Sequence, residues 1–600
     1  MMRRNLTLLF LLSSLFCLAS HQAPSANPRS LALTHVTLID TTGGPAKPDM
    51  TVVIAGNRII EVAKSDQIRP PSNTETVNAN GKFLIPGLWD MHVHWYEKDY
   101  LPLFIANGVT GTRQMYGAPV FQQWRKEIEA GELLGPHLLI PSPIVDGPKP
   151  VWPGSIAVAN ASEGRQAVIQ VKRGGADFVK VYSLLSRDAY FAIADESKKQ
   201  GIPFEGHVPD SVTLEEASNA GQVSVEHLTG VLAACSSREA ELLKSAQATV
   251  EAIDAGQLPT VRYSGPEFRA RQKLALETYS SQKAETVFGE LKKNHTWQCP
   301  TLTVLRSMAY SEDPSFANDP RLKYLPRDIV SSWDPKADPF LKNKTAEDWA
   351  ISKKVFSKDL ELVGAMERAG VEILAGTDTL NPYCLPGFSL HDELGLLVQA
   401  GLTPLQALQA ATLNSARFMG RENDLGTVAP GKIADLVLLD ANPLEEIGNT
   451  RKISAVVFGG KFFSRAALDD MLTKIGALAS RPSIGDVLLK TIEEQNVDAA
   501  IKQYYQLKTA QPTTYDFGES ALDDLAERLE EMKKSKEALR ILELNTQENP
   551  SSYTYDSLGE ACAEAGDKEC AIKSFKKSLQ LSPDDMNAAE RLKKLNAPSD

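Results

Sequence analysis

The chain has 600 residues, 42% of them hydrophobic and 23% charged, and carries a formal net charge of −12. That is an ordinary globular composition with room for several domains. The negative balance excludes a nucleic-acid binder, which would display a basic patch.

The N-terminus reads as a targeting segment. Arg3 and Arg4 precede an apolar stretch from Leu6 to Ala19, and Cys17-Leu18-Ala19 offers small residues for cleavage. Residues 1–20 are therefore expected to be a signal peptide. The stretch is short for the ~20 residues of a membrane span, so the mature protein is expected to be secreted or periplasmic. Cleavage leaves Cys235, Cys299, Cys384, Cys562 and Cys570, too sparse and odd a set for a disulfide framework. Cys562 and Cys570 lie near enough to pair in an oxidising compartment, and two buried thiols fit the spacing equally.

Residues 31–86 consist of short β-rich runs broken by glycine and asparagine, such as His35–Asp40, Thr51–Ile54 and Arg58–Val62 with Gly56-Asn57 between the last two. This is a hairpin texture. It returns over 420–466, in Lys432–Asp440 and Ile453–Lys461. The two stretches together predict a small composite β-sandwich domain built from both sides of the central region.

Between them, over 87–419, strand-like and helix-like runs alternate. The strand-like ones include Val109–Thr112, Phe178–Val181, Ile202–Glu205, Val223–Glu226, Cys299–Leu302 and Val371–Ala375, and helical runs such as Thr213–Ala220 and Pro404–Phe418 lie between them. Such alternation predicts an α/β fold, a (β/α)8 TIM barrel. The polar stretches 236–295 and 306–370 read as helical insertions. A linker, Ser480–Gly485, follows. Beyond it Tyr555, Leu558, Gly559, Cys562, Gly566, Ala571, Phe575 and Pro583 follow the tetratricopeptide pattern. Leu522, Leu525, Ala526, Leu529, Ala538, Leu542 and Pro550 fit one unit earlier, so 485–596 is predicted to be an all-α, TPR-like domain. Stacked repeats offer a concave surface to a protein or peptide partner. Two repeats are few for independent stability, so docking on the barrel or a homo-oligomer would have to supply burial.

The chemistry sits at strand ends. His92-Val93-His94 closes an apolar run, and residues two apart on a strand face the same side. Two convergent imidazoles suit a borderline metal such as zinc. Lys180, His207, His227 and Asp378 end later strand-like runs, where parallel barrels carry their catalytic groups. Only nine histidines occur in the chain, which makes four of them at strand ends hard to assign to chance. An ammonium has no lone pair, so Lys180 joins a metal site only as the carbamate formed with carbon dioxide. Arg113 and Tyr182 are either substrate contacts or barrel packing. Gly426–Ile433 nearly spells a phosphate-binding P-loop but ends in Ile433 and lacks the hydroxyl that binds magnesium. His391-Asp392-Glu393 reads as a helix start.

Seven segments, Pro86–His94, Phe178–Tyr182, Gly206–Pro209, Val225–His227, Leu374–Asp378, Ala400–Pro404 and Gly431–Val437, together resemble the amidohydrolase superfamily, and within it the imidazolonepropionase-like and Xaa-Pro dipeptidase-like branch. The resemblance implies a binuclear site. His92, His94 and Asp378 would hold one divalent metal ion, with Zn2+ the favoured metal, His207 and His227 the other, and carboxylated Lys180 would bridge them. Gln114 departs from relatives that carry an acid after the second-strand arginine. The implied activity is an exported, metal-dependent hydrolysis of C–N bonds by a metal-bridging hydroxide, with Asp378 moving the proton. Its substrate would be a small molecule or dipeptide: a cyclic amide, an N-acyl compound or an Xaa-Pro dipeptide. A lactonase or deaminase on the same scaffold, and a TPR-type peptide-binding adaptor with an incidental barrel, are the alternatives.

Overall fold

The computed structural model describes residues 30–596, apart from 96, 119, 260–264, 339 and 582–585. The expected signal peptide at 1–20 and Pro583 of the repeat pattern lie outside the described residues. Among the described residues no helix is long and apolar enough to cross a membrane.

One sheet draws on both sides of the central region. Its hydrogen-bonded order is Lys461–Ser464, Ile453–Phe458, Leu436–Leu439, Phe83–Pro86, Ser30–Leu38, Lys47–Ala55 and Arg58–Lys64, with Glu75–Asn78 parallel to Ser30–Leu38. The hairpin of Lys47–Ala55 with Arg58–Lys64 turns at Gly56-Asn57, where Gly56 takes φ 60°. That left-handed conformation is cheap only for glycine. Strand period assigns the faces. Leu84, Leu436 and Leu438 join Leu33, Val52 and Ile54 in the sheet's own core, while Ile85, Val437 and Leu439 point into the large central core. Arg58 on the far edge bridges back to Ile433, so the sheet curves round its core.

Among the described residues the strands of the central region pair in parallel, and the one antiparallel bridge, Ser236–Tyr279, lies outside them. Leu88–Val93 pairs with Val109–Gln114, and that strand with His137–Leu139. A Pro141–Phe178 bridge leads to Val179–Val181, then Phe204–Gly206, Ser224–Glu226 and Trp297–Cys299. Bridges Gln298–Ile373 and Val93–Thr379 return the pairing to the first strand. Every residue of Val179–Val181, Phe204–Gly206 and Ser224–Glu226 is buried, because helices cover the outer face. Parallel strands require such crossovers, and three of them, Ala161–Arg173, Arg187–Gln200 and Leu214–Asn219, are opened by the capping side chains of Asn160, Ser186 and Thr213. The consequence for chemistry is that all strand C-termini gather at one end.

The polar stretches are helical, with Glu239–Asp254, Pro266–Glu277 and Ser281–Lys293 in the first and Arg327–Ser332 and Ala346–Ala369 in the second. The helix expected over Pro404–Phe418 is two, Pro404–Ala410 and Leu413–Phe418, interrupted where Thr412 adopts ψ −87°. Asp359, inside Ala346–Ala369, is only 6% exposed, and burial pushes its pKa up to about 7. A folded pKa above the unfolded value gives stability that is complete below about pH 4 and lost as pH rises through 7. Asp359→Asn removes that dependence. Its stability relative to the parent protein is expected to improve by about 2–3 kcal/mol between pH 5 and pH 8. Parallel melting-temperature profiles for the two proteins would contradict this.

Past residue 484 the chain is a succession of helices, Ile484–Glu494, Val497–Ala510, Glu519–Glu531, Ser535–Glu548, Ser552–Glu564, Lys568–Leu581 and Met586–Asn596. They share a core of their own, including Leu488, Tyr504, Leu522, Leu525, Ile541 and Phe575. Gly559 lets two helices close up: a Cβ there would lie 2.7 Å from the Phe575 ring. A disulfide joins Cys562 to Cys570, while Cys235, Cys299 and Cys384 are buried thiols. This helical region touches the catalytic one where Ser520 Oγ donates to Glu97 Oε1 at 2.8 Å.

Candidate active site

His92 lies in Leu88–Val93 and His94 just beyond it; Lys180 is the middle residue of Val179–Val181. His207 and His227 directly follow Phe204–Gly206 and Ser224–Glu226. Asp378 precedes Thr379, which bridges to Val93. His92 Nε2 stands 3.3 Å from His94 Nε2, and Asp378 Oδ1 stands 3.2 and 3.0 Å from those two nitrogens. Ring centroids are 4.5 Å apart for His92 and His227, and 4.9 Å for His207 and His227. Lys180 is close enough to act electrostatically on His94, His207 and His227. The side chains singled out in the sequence thus converge.

Local backbone makes this convergence work. Successive strand residues face opposite sides, so Glu226 and His227 would diverge on a regular strand. His227 takes φ 56° and Asp378 φ 62°, a left-handed region that costs a non-glycine residue about 1–3 kcal/mol. With this turn the His227 ring lies 4.5 Å from that of His92, the ring to which Glu226 is bonded. Two glycines supply room. A Cβ on Gly206 (φ 131°) would lie 2.2 Å from the Val181 carbonyl oxygen, and one on Gly376 would lie 2.5 Å from Cys299 Sγ and 2.8 Å from His92 Cβ.

The donor set fits a divalent cation. Lys180 Nζ and His207 Nε2 are buried without a hydrogen-bond partner, and Asp378 Oδ1 has only the two imidazole nitrogens of His92 and His94 before it. Each such orphan costs about 1–3 kcal/mol, and a cation at their meeting point would satisfy them together. Donor atoms of His92, His227 and Asp378 also lie within 4.8 Å of one another. Burial lowers the pKa of His94, lowers that of His207 far below the usual value, and brings His227 to about 3. These rings are neutral at physiological pH, with a lone pair to give. For Asp378 burial raises the pKa, but the neighbouring His227 and His92 outweigh it and hold the carboxyl well below its usual range. Burial lowers Lys180 to about 8 against the opposing pull of Glu226 and Asp378, which favours the neutral amine a carbamate needs.

Partners behind the rings orient them. Glu226 Oε2 lies 2.7 Å from His92 Nδ1, Ser183 Oγ 2.9 Å from His207 Nδ1, and Thr301 Oγ1 2.7 Å from His227 Nδ1. Glu226 is fully buried; desolvation raises its pKa, but the Arg113 charge and the His92 hydrogen bond outweigh that and hold it ionised. Asp90, also fully buried, accepts from Thr377 N at 3.0 Å and Thr377 Oγ1 at 2.7 Å, tying the segment of Asp378 to the strand of His92. Sequence reading passed over Glu226, Glu205 and Asp90. The only signal for Glu226 was an acid beside a candidate ligand, within a segment quoted for other reasons.

Arg113 is wholly buried and contacts no substrate space. Its Nε donates to Met91 O at 2.6 Å, Nη1 to Glu205 Oε2 at 2.7 Å and Ser224 Oγ at 2.9 Å, and Nη2 to both Glu226 oxygens at 2.9 Å. Stripping such a buried pair of one partner costs about 3–5 kcal/mol. Gln114, the departure from an acid, accepts from Trp95 N at 3.2 Å. Tyr182 stacks on His207 at 4.0 Å between centroids, and its hydroxyl accepts from Trp152 Nε1 at 2.9 Å. Trp152 packs against Phe340, 5.4 Å away, so an aromatic wall runs outward from His207. His391 is held by Thr450 Oγ1 and Asn107 O at 3.0 Å each, and Glu393 accepts from the N–H groups of Leu302 and Thr303, capping a neighbouring helix rather than its own.

Comparison with known proteins yields three kinds of likeness. The sequence matches the amidohydrolase family over residues 83–463. It is 36% identical to the ochratoxinase of Aspergillus niger over 122 residues, which are 20% of this chain and 24% of that protein; the match thus spans about a quarter of that relative's length. Among solved structures, a bottromycin amidohydrolase superposes with a TM-score of 0.60 at 23% identity, covering 76% of this chain and 91% of the other. A Xaa-Pro dipeptidase with methionine bound in its active site gives a TM-score of 0.52 at 19% identity, covering 72% of this chain and 100% of the other.

Proposed function

Because the chain belongs to the amidohydrolase family, we propose that it is an exported, metal-dependent hydrolase of C–N bonds. The carrying observation is a cluster of buried donors: Asp378 Oδ1 lies 3.2 and 3.0 Å from His92 and His94 Nε2, and Lys180 Nζ and His207 Nε2 are buried without a hydrogen-bond partner. His92, His94 and Asp378 would hold one divalent ion and His207 and His227 a second, with Lys180 between them as a carbamate. In this reading the closed circuit of parallel strands is a (β/α)8 barrel with the site at its C-terminal mouth. Such ions, zinc by preference, supply an acidified water and a polarised scissile carbonyl. The residues do the rest. Asp378, ionised and facing both His92 and His94, takes the proton of the attacking water and returns it to the leaving nitrogen. Tyr182, Trp152 and Phe340 wall the substrate's flank.

The substrate class is a cyclic amide, an N-acyl amino acid or a small dipeptide. The names of the relatives, an ochratoxinase, an amidohydrolase and a Xaa-Pro dipeptidase, support amide-bond cleavage. The helices after 484 are tetratricopeptide-type repeats in this reading, available to a peptide partner. Purified protein is expected to contain about two divalent ions per chain. Prolonged chelation is expected to abolish hydrolysis across a panel of N-acyl amino acids, Xaa-Pro dipeptides and cyclic ureides, and added zinc to restore it. Full activity in metal-free protein would end the proposal.

A further inference from the structure

Behind the candidate ligands lies a run of buried charge that the hydrolytic reading does not use. Glu205, Arg113 and Glu226 are 3%, 0% and 0% exposed. Register explains how they meet. Lys180 and Glu205 are partners on adjacent strands, and Ser224 and Glu226, two apart on the next strand, share one face. Arg113, from the second strand, reaches across to all three acceptors.

Hydrogen-bond logic then fixes a proton. An ionised carboxylate accepts and cannot donate. Glu226 is saturated with donors: Oε1 from Arg113 Nη2 at 2.9 Å and Ser224 Oγ at 2.5 Å, Oε2 from Arg113 Nη2 at 2.9 Å and His92 Nδ1 at 2.7 Å. His92 must therefore carry a hydrogen on Nδ1, while its Nε2 faces the space shared with His94 and Asp378. Among the described residues, no carboxylate is hydrogen-bonded to Nδ1 of His207 or His227. His207 and His227 are backed by the neutral hydroxyls of Ser183 and Thr301; the Thr301 hydroxyl donates to Pro300 O at 2.8 Å and so accepts from His227 Nδ1, but neither partner brings a charge to the ring.

We propose that Glu226, clamped by Arg113 and Ser224, is a positioning residue that fixes a hydrogen on His92 Nδ1 and thereby makes the His92/His94/Asp378 position the tighter of the two cation sites. The proposal rests on the metal-site reading for its second half only. The Nδ1 hydrogen is a property of the protein before any ion binds. Fixed tautomers and charged acceptors raise the basicity of a ligand ring, and their loss typically costs 10–100-fold in metal affinity.

Metal-free protein with 15N-labelled histidine, compared between the parent and Glu226→Gln, tests the first half. The parent should show His92 with Nδ1 fully protonated, and the variant a partial loss of that Nδ1 hydrogen. An unprotonated Nδ1 in the parent overturns the proposal while leaving the metal reading intact. Titration of the same proteins with Co2+, followed by visible absorption against a competing chelator, tests the second. The variant should bind the first equivalent about 10–100-fold more weakly and the second within about threefold of the parent. Equal weakening of both, or of neither, overturns it. A parent that binds no Co2+ at all refutes the metal reading and, with it, the second half of the proposal. Should Glu226→Gln fail to fold, Ser224→Ala removes one donor from Glu226 and leaves the ion pair. It is expected to shift the first equivalent alone, by a fewfold, and an unchanged first equivalent counts against the proposal.

Discussion

Asp378→Asn is expected to lower turnover by about three to four orders of magnitude with little change in thermal stability. General acid–base catalysis by one side chain contributes about 10²–10⁴, and this carboxylate is in addition a cation donor in the proposed site. Asparagine keeps the size and one carbonyl oxygen. It loses the negative charge that His227, His92 and His94 stabilise, and its amide cannot accept and return a proton at neutral pH. The backbone at φ 62° tolerates the change, because asparagine enters the left-handed region as readily as aspartate. Steady-state kinetics on whichever amide the panel identifies, with a melting curve alongside, read the result. A variant retaining a tenth of parental kcat would remove Asp378 from the proton path.

Lys180→Ala is expected to cost about as much, by another route. The lysine stem crosses a fully buried space and ends in an amine that bonds to nothing in the protein. Sequestering a cationic amine there without a partner is unfavourable, so a purely structural lysine is hard to explain at this position. As a carbamate it would contribute two oxygens to the ions. Its loss should drop metal content from about two equivalents to one or fewer. The accompanying loss of several kcal/mol of transition-state stabilisation amounts to about 10³ in rate. Elemental analysis and kinetics of the same preparation decide the matter. Full metal occupancy together with parental activity would assign Lys180 to packing. An increase in stability on removing the amine is compatible with the proposal, since the orphan is a cost in the metal-free protein.

How much of this was legible beforehand follows from what each feature depends on. His92 and His94 were visible because strand period alone places them together. His207, His227 and Asp378 were visible because β-rich runs announce strand ends. Lys180 was legible as a ligand only through company, since nothing local distinguishes it from a salt-bridged lysine. The Arg113 cluster was not legible. Its members are separated by |i−j| of 92, 111 and 113 along the chain, and only the circular arrangement of strands brings them face to face. The left-handed turn at His227 was equally hidden, because histidine's enrichment in that region is too weak to announce a turn. Cys562 and Cys570 had been left open between thiols and a bond, and the helical hairpin that joins them brings their Cα atoms within 5.8 Å.

The sheet shared by the two flanks of the catalytic region carries a cost in time. Ile85 finds its neighbour Val437 only after roughly 350 further residues have been made, which at ribosomal speeds of about 5–20 residues per second is a wait of ~20–70 s. Until then Phe83–Pro86 presents an unpaired, apolar edge, the kind of surface on which chains stick to one another. Joining segments that far apart also carries an entropic penalty of about 5 kcal/mol. The flanking strands are thus the last piece to lock and the first place where a nascent chain needs shelter.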